Sequence, residues 1–196
     1  MNSPFEQLTY RDKILYIKRD DLISPYFSGN KARKFHTLLH GDIPYKQIIS
    51  YGGVQSNAMH SLSFLALQKK INFTYLHKAI PPFVKNNPRG NYLSALSNGV
   101  KFIELGYKDF YEKINSYKNN ISKDELFITQ GGYESWAEDG IKILAKELEI
   151  DIKNNNIKNP ILLLSSGTGT TALYLAKNID IPVYTTPCIG DEEYLK

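Results

Sequence analysis

Cysteine is almost absent from this chain of 196 residues, in which Cys188 is the single example. One thiol excludes an internal disulfide framework and zinc sites built from several cysteines. The N-terminus also lacks the basic start and apolar run of a signal peptide. We therefore expect a cytoplasmic protein in a reducing compartment, with Cys188 packed as a small apolar side chain.

Long apolar runs are missing too, and no stretch is long enough to span a bilayer. Positive charge is not concentrated, because the formal net charge of +4 comes mostly from lysines scattered along the chain. Such a surface gives only weak support for binding nucleic acid. His36 and His40 are four residues apart but lack a third ligand, so no metal site is predicted. We expect neither nucleic acid nor a membrane as partner.

Short apolar segments alternate with helical periodicity along the chain. Seven runs predict strands: 14–17, 48–51, 73–76, 102–105, 126–128, 161–164 and 183–184. The two clearest helical faces are formed by Met59, Leu62 and Ala66, and by Ala137, Ile141, Leu144 and Leu148. This alternation predicts an α/β fold with mostly parallel sheets covered by helices on both sides.

A turn rich in glycine and hydroxyl groups follows the sixth predicted strand. It has the sequence Ser-Ser-Gly-Thr-Gly-Thr-Thr over residues 165–171 and leads into a helix. Glycine lets the backbone approach an anion, amides at a helix N-terminus point at it, and hydroxyls add donors. The turn therefore predicts a phosphate site, with a simple helix cap as the alternative.

The same turn satisfies a loose dinucleotide pattern through Gly167, Gly169 and Ala172. A dinucleotide site needs an acidic residue at the end of the next strand, but that strand ends in Thr-Thr-Pro and Asp191 lies further on. Five hydroxyl residues in seven positions favour a phosphomonoester. An NAD-binding oxidoreductase stays open as the alternative from another enzyme class.

A lysine lies at a predicted helix start near the N-terminus. Ser28 and Asn30 are good N-cap residues, which places Lys31 in or near the first turn. A lysine there opposes the helix dipole, so its pKa should fall and its amine should become a better nucleophile. The alternative is an ordinary solvated surface lysine, but a phosphate site implies a phosphorylated ligand, and a carbonyl cofactor that carries one phosphate needs a lysine partner such as Lys31.

A second glycine turn follows the second predicted strand, at residues 52 and 53. The amides of residues 56–58 would face an anion such as a substrate carboxylate, and Asn57 offers an amide donor to a ring oxygen. Alone, this segment is also an ordinary helix cap.

Six motifs occur in an order that is similar to one enzyme family. They are Lys-Arg-Asp-Asp-Leu, Ser-Gly-Asn-Lys-Ala-Arg-Lys, Gly-Gly-Val-Gln-Ser-Asn, Gly-Asn-Tyr-Leu, Gln-Gly-Gly-Tyr and Ser-Gly-Thr-Gly-Thr-Thr. Together they resemble the 1-aminocyclopropane-1-carboxylate deaminase and D-cysteine desulfhydrase family of fold-type II pyridoxal-phosphate enzymes. The resemblance covers nearly the whole chain. It implies a deaminase or lyase that uses pyridoxal 5'-phosphate to release ammonia and a keto acid from a small amino acid.

The resemblance also implies a role for each motif. Lys31 would bond covalently to the cofactor, Asn57 would hydrogen-bond its ring hydroxyl, and Ser56 would contact the substrate and transfer a proton. The phosphate would be held by Ser166, Gly167, Thr168, Gly169 and Thr170. The substrate side would comprise Ser56, Asn57, Ala58 and Tyr133, the last in a loop over the substrate.

The chain departs from the family pattern in two respects. Residue 58 is Ala, where the deaminases have Gln and the desulfhydrases His, so the two activities are not separated. The family's large domain continues well past the position of Lys196 and there supplies the partner of the pyridine nitrogen. The resemblance thus implies an incomplete large domain, with an inactive cofactor-binding remnant as a further alternative and a homodimer for the full-length protein.

Two three-layer domains are expected on this basis. Residues 1–42 would begin the large cofactor domain, residues 43–155 would form a small α/β domain, and residues 156–196 would return to the large domain. The second boundary is placed in the polar run 151–160, because a new apolar strand begins directly after it.

Overall fold

The computed structural model describes residues 1–27 and 29–188, and the chain divides into two compact units. Unit 1 combines Met1–Thr37 with Ser135–Lys196, and unit 2 is Leu38–Glu134. The strands are β1 (Phe5–Tyr10), β2 (Lys13–Lys18), β3 (Gln47–Tyr51), β4 (Asn72–Lys78), β5 (Lys101–Leu105), β6 (Glu125–Ile128), β7 (Leu162–Ser166) and β8 (Val183–Pro187). The helices are α1 (Asn30–Lys34), α2 (His36–His40), α3 (Asn57–Lys69), α4 (Pro82–Asn86), α5 (Gly90–Ser97), α6 (Phe110–Asn119), α7 (Ala137–Asn154) and α8 (Thr170–Asn178).

Unit 2 is built on a four-stranded sheet in the order β5-β4-β3-β6, with every pair parallel. One of its apolar clusters joins the sheet to α6 and consists of Ile49, Leu76, Leu105, Phe110 and Ile114. Ser50 pairs with Ile128, so β3 and β6 end side by side. The loops that leave these two strands therefore start at the same edge of the sheet.

Unit 1 contains the parallel pair β7-β8 and the antiparallel hairpin β1-β2. The long helix α7 packs against α8 through a cluster of Ile141, Leu144, Ala145, Leu148, Leu175 and Ile179. Apolar residues three or four positions apart on α7 form this face, as the sequence periodicity predicted. The hairpin turn is made by Arg11 and Asp12, both with positive φ (46° and 61°), which matches the twist of a two-residue hairpin.

Helix α1 is fixed to α7 by a buried ion-pair network. Arg33 is fully buried, and its guanidinium donates to both carboxylate oxygens of Glu147 (2.9 and 2.8 Å) and to Asp20 (2.8 Å). Lys18 contacts the same Glu147 at 3.1 Å. The two helices touch at Gly140, where an added Cβ would lie 1.8 Å from the backbone oxygen of Arg33. A glycine inside a long helix is explained by this close approach.

The structure confirms the predicted α/β class, and a strand occurs at each of the seven predicted positions. Strand β1 was not predicted. The domain division differs from the prediction at its second boundary: the polar run after residue 150 is the end of α7, which extends to Asn154, and the units divide after Glu134. The predicted packing of Cys188 is wrong, because this residue is exposed.

No helix within residues 1–27 and 29–188 is long and apolar enough to cross a membrane.

Candidate active site

Lys31 is the second residue of α1, which begins at Asn30. Its Nζ donates to Asn30 Oδ1 at 2.8 Å, and Asn30 Nδ2 donates to Thr171 Oγ1 at 2.8 Å. Gly29 occupies the N-cap, and the predicted cap residue Ser28 lies outside the described residues. Within unit 1, one amide side chain therefore links the amine of Lys31 to the first turn of α8.

Burial lowers the pKa of Lys31 to about 8. The direction agrees with the sequence expectation, but the cause is loss of solvent and not the helix dipole, and α1 has only five residues. Removing water disfavours the charged form of an amine. A larger fraction of Lys31 is thus neutral, and nucleophilic, near neutral pH than of an ordinary lysine.

A second lysine, Lys34, follows Lys31 by one helical turn and was not singled out from the sequence. It is 2% exposed, and burial together with the positive charge of Lys31 lowers its pKa to about 7. The signal was present as the Lys-x-x-Lys spacing, which places two amines on one helix face. Only the fold shows that this face is turned away from water.

The predicted phosphate turn connects β7 to α8. Gly169 adopts a left-handed conformation (φ 70°) as the N-cap, and α8 begins at Thr170. The hydroxyls of Thr168 and Thr170 lie 2.9 Å apart, and Thr185 donates to Ser166. A Cβ placed on Gly167 would meet no atom within 4 Å. Open space, hydroxyl groups and the first amides of a helix fit an anion.

In unit 2, the corresponding glycine turn lies between β3 and α3. Ser56 is the N-cap of α3, and its Oγ accepts from the backbone amide of Met59 at 3.3 Å. The buried hydroxyl of Tyr75 donates to the carbonyl of Gly53 at 3.2 Å. A Cβ on Gly52 would lie 2.7 Å from the same hydroxyl oxygen. The turn is therefore supported from beneath by a side chain that sequence reasoning missed.

The first two residues of α3, Asn57 and Ala58, differ in their exposure to solvent. Asn57 is exposed, whereas Ala58 is 5% exposed and faces the interior of unit 2. Of these two predicted substrate-side residues, Asn57 has the accessible side chain.

Tyr133 lies in the loop that follows β6. Gly131 and Gly132 both have positive φ (77° and 71°), and Thr129 Oγ1 donates to the carbonyl of Tyr133 at 3.1 Å. The side chain of Tyr133 is 52% exposed. A Cβ on Gly52 would lie 3.5 Å from Cγ of Gln130, so this loop adjoins the glycine turn.

The predicted residues thus fall into two groups. Unit 1 carries Lys31 with the turn 166–170, and unit 2 carries Ser56 and Asn57 with the loop of Tyr133. In the part of the chain that the structure describes, no three His, Cys, Asp or Glu residues form a group that could hold a metal ion.

Comparison with known proteins supports the resemblance found in the motifs. No family model matches the chain. It is 27% identical over 185 residues to a putative 1-aminocyclopropane-1-carboxylate deaminase of Pyrococcus furiosus, covering 90% of this chain and 54% of that protein. It is 26% identical over 176 residues to the mitochondrial bifunctional D-cysteine desulfhydrase/1-aminocyclopropane-1-carboxylate deaminase of Arabidopsis thaliana, covering 80% and 43%. The chain spans about half the length of these relatives.

Solved structures share the fold. An ACC deaminase homologue superposes with a TM-score of 0.72 at 20% identity, covering 100% of this chain and 65% of that one. Diaminopropionate ammonia lyase from Escherichia coli superposes with a TM-score of 0.63 at 15% identity, covering 95% and 58%. A pyridoxal 5'-phosphate-dependent aspartate racemase does so with a TM-score of 0.64 at 13% identity, covering 94% and 56%. The α/β fold predicted from the family resemblance is confirmed.

Proposed function

We propose that this protein is a pyridoxal-phosphate-dependent deaminase or lyase that acts on a small amino acid and releases ammonia and a keto acid. The similarity to deaminases and desulfhydrases over most of the chain supports the reaction class. One observation carries the proposal. The amine of Lys31 is joined through Asn30 to Thr171, in the helix that begins at the hydroxyl-rich turn.

The residues of unit 1 fit pyridoxal phosphate. The phosphate of the cofactor would be bound by the amides and hydroxyls of residues 166–170. Its aldehyde would react with the poorly solvated amine of Lys31. Both features lie within one unit, on either side of the Asn30 amide. When bound, the cofactor supplies an electron sink for the charge that develops at the α-carbon of an amino acid.

The chain's own groups would bind and orient. Lys31 would hold the cofactor and move a proton, which its lowered pKa of about 8 favours near neutral pH. In unit 2, Asn57 would donate to the ring hydroxyl. The backbone amides of residues 56–58 would bind the substrate carboxylate, and the hydroxyl of Ser56 would take part in proton transfer.

Two substrates are proposed, 1-aminocyclopropane-1-carboxylate and D-cysteine. The Arabidopsis relative is named for activity on both. Opening of a cyclopropane ring would make the enzyme a deaminase, and loss of a thiol would make it a desulfhydrase. We further propose a cytoplasmic location and a homodimer.

The proposal is tested by titrating the protein with pyridoxal phosphate and following the absorbance of the bound cofactor. Wild type and a Lys146→Ala control, which changes an exposed lysine on α7, should bind, whereas Lys31→Ala should lose the spectrum of the covalent adduct. Release of a keto acid from each substrate then separates the two activities. Stabilisation against heating by NAD, without any response to pyridoxal phosphate, would instead favour an oxidoreductase.

A further inference from the structure

The first residues of α5 form hydrogen bonds with the segment that carries Asn57. Asn91 Nδ2 donates to the backbone carbonyl of Gln55 at 2.9 Å and to Asn57 Oδ1 at 2.8 Å. In return, Gln55 Oε1 accepts from the backbone amide of Asn91 at 3.1 Å, and Gln55 Nε2 donates to the carbonyl of Arg89 at 3.0 Å. Four hydrogen bonds within unit 2 therefore lock α5 to the start of α3.

The polarity of this network is fixed by backbone groups. A backbone carbonyl can only accept, so the atom of Asn91 that faces Gln55 must be the amide nitrogen. The same nitrogen also contacts the side chain of Asn57, whose contacting atom must then be the oxygen. The orientation of the Asn57 amide follows from the network and is not an arbitrary choice between O and N.

Gly90 leaves room for the side chain of Gln55 in these hydrogen bonds. It has positive φ (56°), and a Cβ there would lie 2.9 Å from Gln55 Oε1. Any larger residue would push the amide of Gln55 away from α5. The Gly-Asn pair of the Gly-Asn-Tyr-Leu motif thus has a physical reason that the sequence alone does not reveal.

We propose that Asn91 is a positioning residue that makes Asn57 present a hydrogen-bond donor to the ligand. With Oδ1 occupied by Asn91, Nδ2 is the group of Asn57 that has no partner among the described residues, and Asn57 is exposed. The ligand atom opposite it must accept a hydrogen bond, as an ionised ring hydroxyl does. This inference rests on the proposed function for the identity of that ligand.

Asn91→Asp is the informative substitution, because a carboxylate accepts hydrogen bonds but cannot donate them. Asn57 would turn to donate Nδ2 to Asp at position 91 and would present Oδ1 to the ligand. Affinity for pyridoxal phosphate should fall about tenfold or more, the usual effect of losing a hydrogen bond to a charged group. The carboxylate also loses the hydrogen bond to the backbone carbonyl of Gln55, so urea denaturation of the variant is measured beside its affinity to show that the protein is still folded.

Asn87→Asp is the matched control. It makes the same charge change four residues earlier, at an exposed side chain that donates to the carbonyl of Phe83. Asn57→Ala completes a double-mutant cycle. If Asn91 acts through Asn57, Asn91→Asp should have no further effect on affinity in the Asn57→Ala background. Equal losses in both backgrounds would overturn the inference.

A measurement without cofactor separates this inference from the proposed function. In the cofactor-free protein, the side-chain NH₂ signals of Asn57 in an ¹⁵N spectrum should shift in Asn91→Asp and stay in place in Asn87→Asp. Unmoved Asn57 signals in Asn91→Asp would refute the positioning role even if wild type binds the cofactor. Shifted signals in a protein that fails to bind pyridoxal phosphate would support the positioning role and refute the proposed function.

Discussion

Replacing Gly140 by Ala should loosen the attachment of α1, the helix that carries Lys31. The new Cβ would lie 1.8 Å from the backbone oxygen of Arg33 and 2.8 Å from Cβ of His36. Ordinary contact requires well over 3 Å, and the closest atom belongs to the backbone, so the two helices must move apart. Forcing extra atoms into a packed interface costs about 1–3 kcal/mol, and the upper end applies to a backbone clash.

A gain in helix propensity of about 1 kcal/mol opposes this cost. We expect Gly140→Ala to lose about 2 kcal/mol of folding free energy, which corresponds to a fall in Tm of about 4–8 °C for a chain of this size. Urea denaturation and thermal melting measure both values, with Lys146→Ala as an exposed control on the same helix. A variant more stable than wild type would show that propensity dominates and that the two helices do not touch as described.

Two further predictions concern the same region. Arg33→Met should lower the folding free energy, measured by urea denaturation, by about 3–5 kcal/mol, because it leaves Asp20 and Glu147 without their buried partner. The control Arg19→Met removes surface ion pairs instead and should cost less than about 1 kcal/mol. Equal losses in the two variants would contradict the role of burial. Burial disfavours the charged form of Lys31, so its neutral amine should appear as the pH rises through about 8. The rate of amine labelling at Lys31, followed by peptide mapping, should show that midpoint. Lys46 is the control: its hydrogen bond and ion pair with Asp124 raise its pKa, so it should react only at higher pH. A midpoint for Lys31 near the ordinary lysine value of about 10.4 would contradict its desolvation.

Much of the fold was predictable because its strands are short and almost continuously apolar. Runs such as 48–51 and 73–76 are covered on both faces, which leaves a strong signal in the sequence. Strand β1 gave no such signal, since five of its six residues are exposed. The domain boundary was placed too late because a polar run marks a helix end as readily as a linker, and the apolar face of α7 could have packed in either unit.

The candidate site was predictable in its parts but not in its connections. Lysine, glycine turns and hydroxyl groups are visible as residue types. The link from Lys31 through Asn30 to Thr171 joins positions far apart in the chain, and no local pattern encodes it. Lys34, Tyr75 and Asn91 were missed for the same reason, since their importance comes from burial or from hydrogen bonds that only the fold creates.

The most direct test of the proposed chemistry is to incubate the protein with pyridoxal phosphate, reduce it with borohydride and map the modified peptide by mass spectrometry. Reduction makes the bond between an amine and the cofactor permanent, so the modified residue is the one that held it. We predict a phosphopyridoxyl group on Lys31 and its loss in Lys31→Ala. A modification on Lys34 or on any other lysine, with Lys31 untouched, would contradict the account.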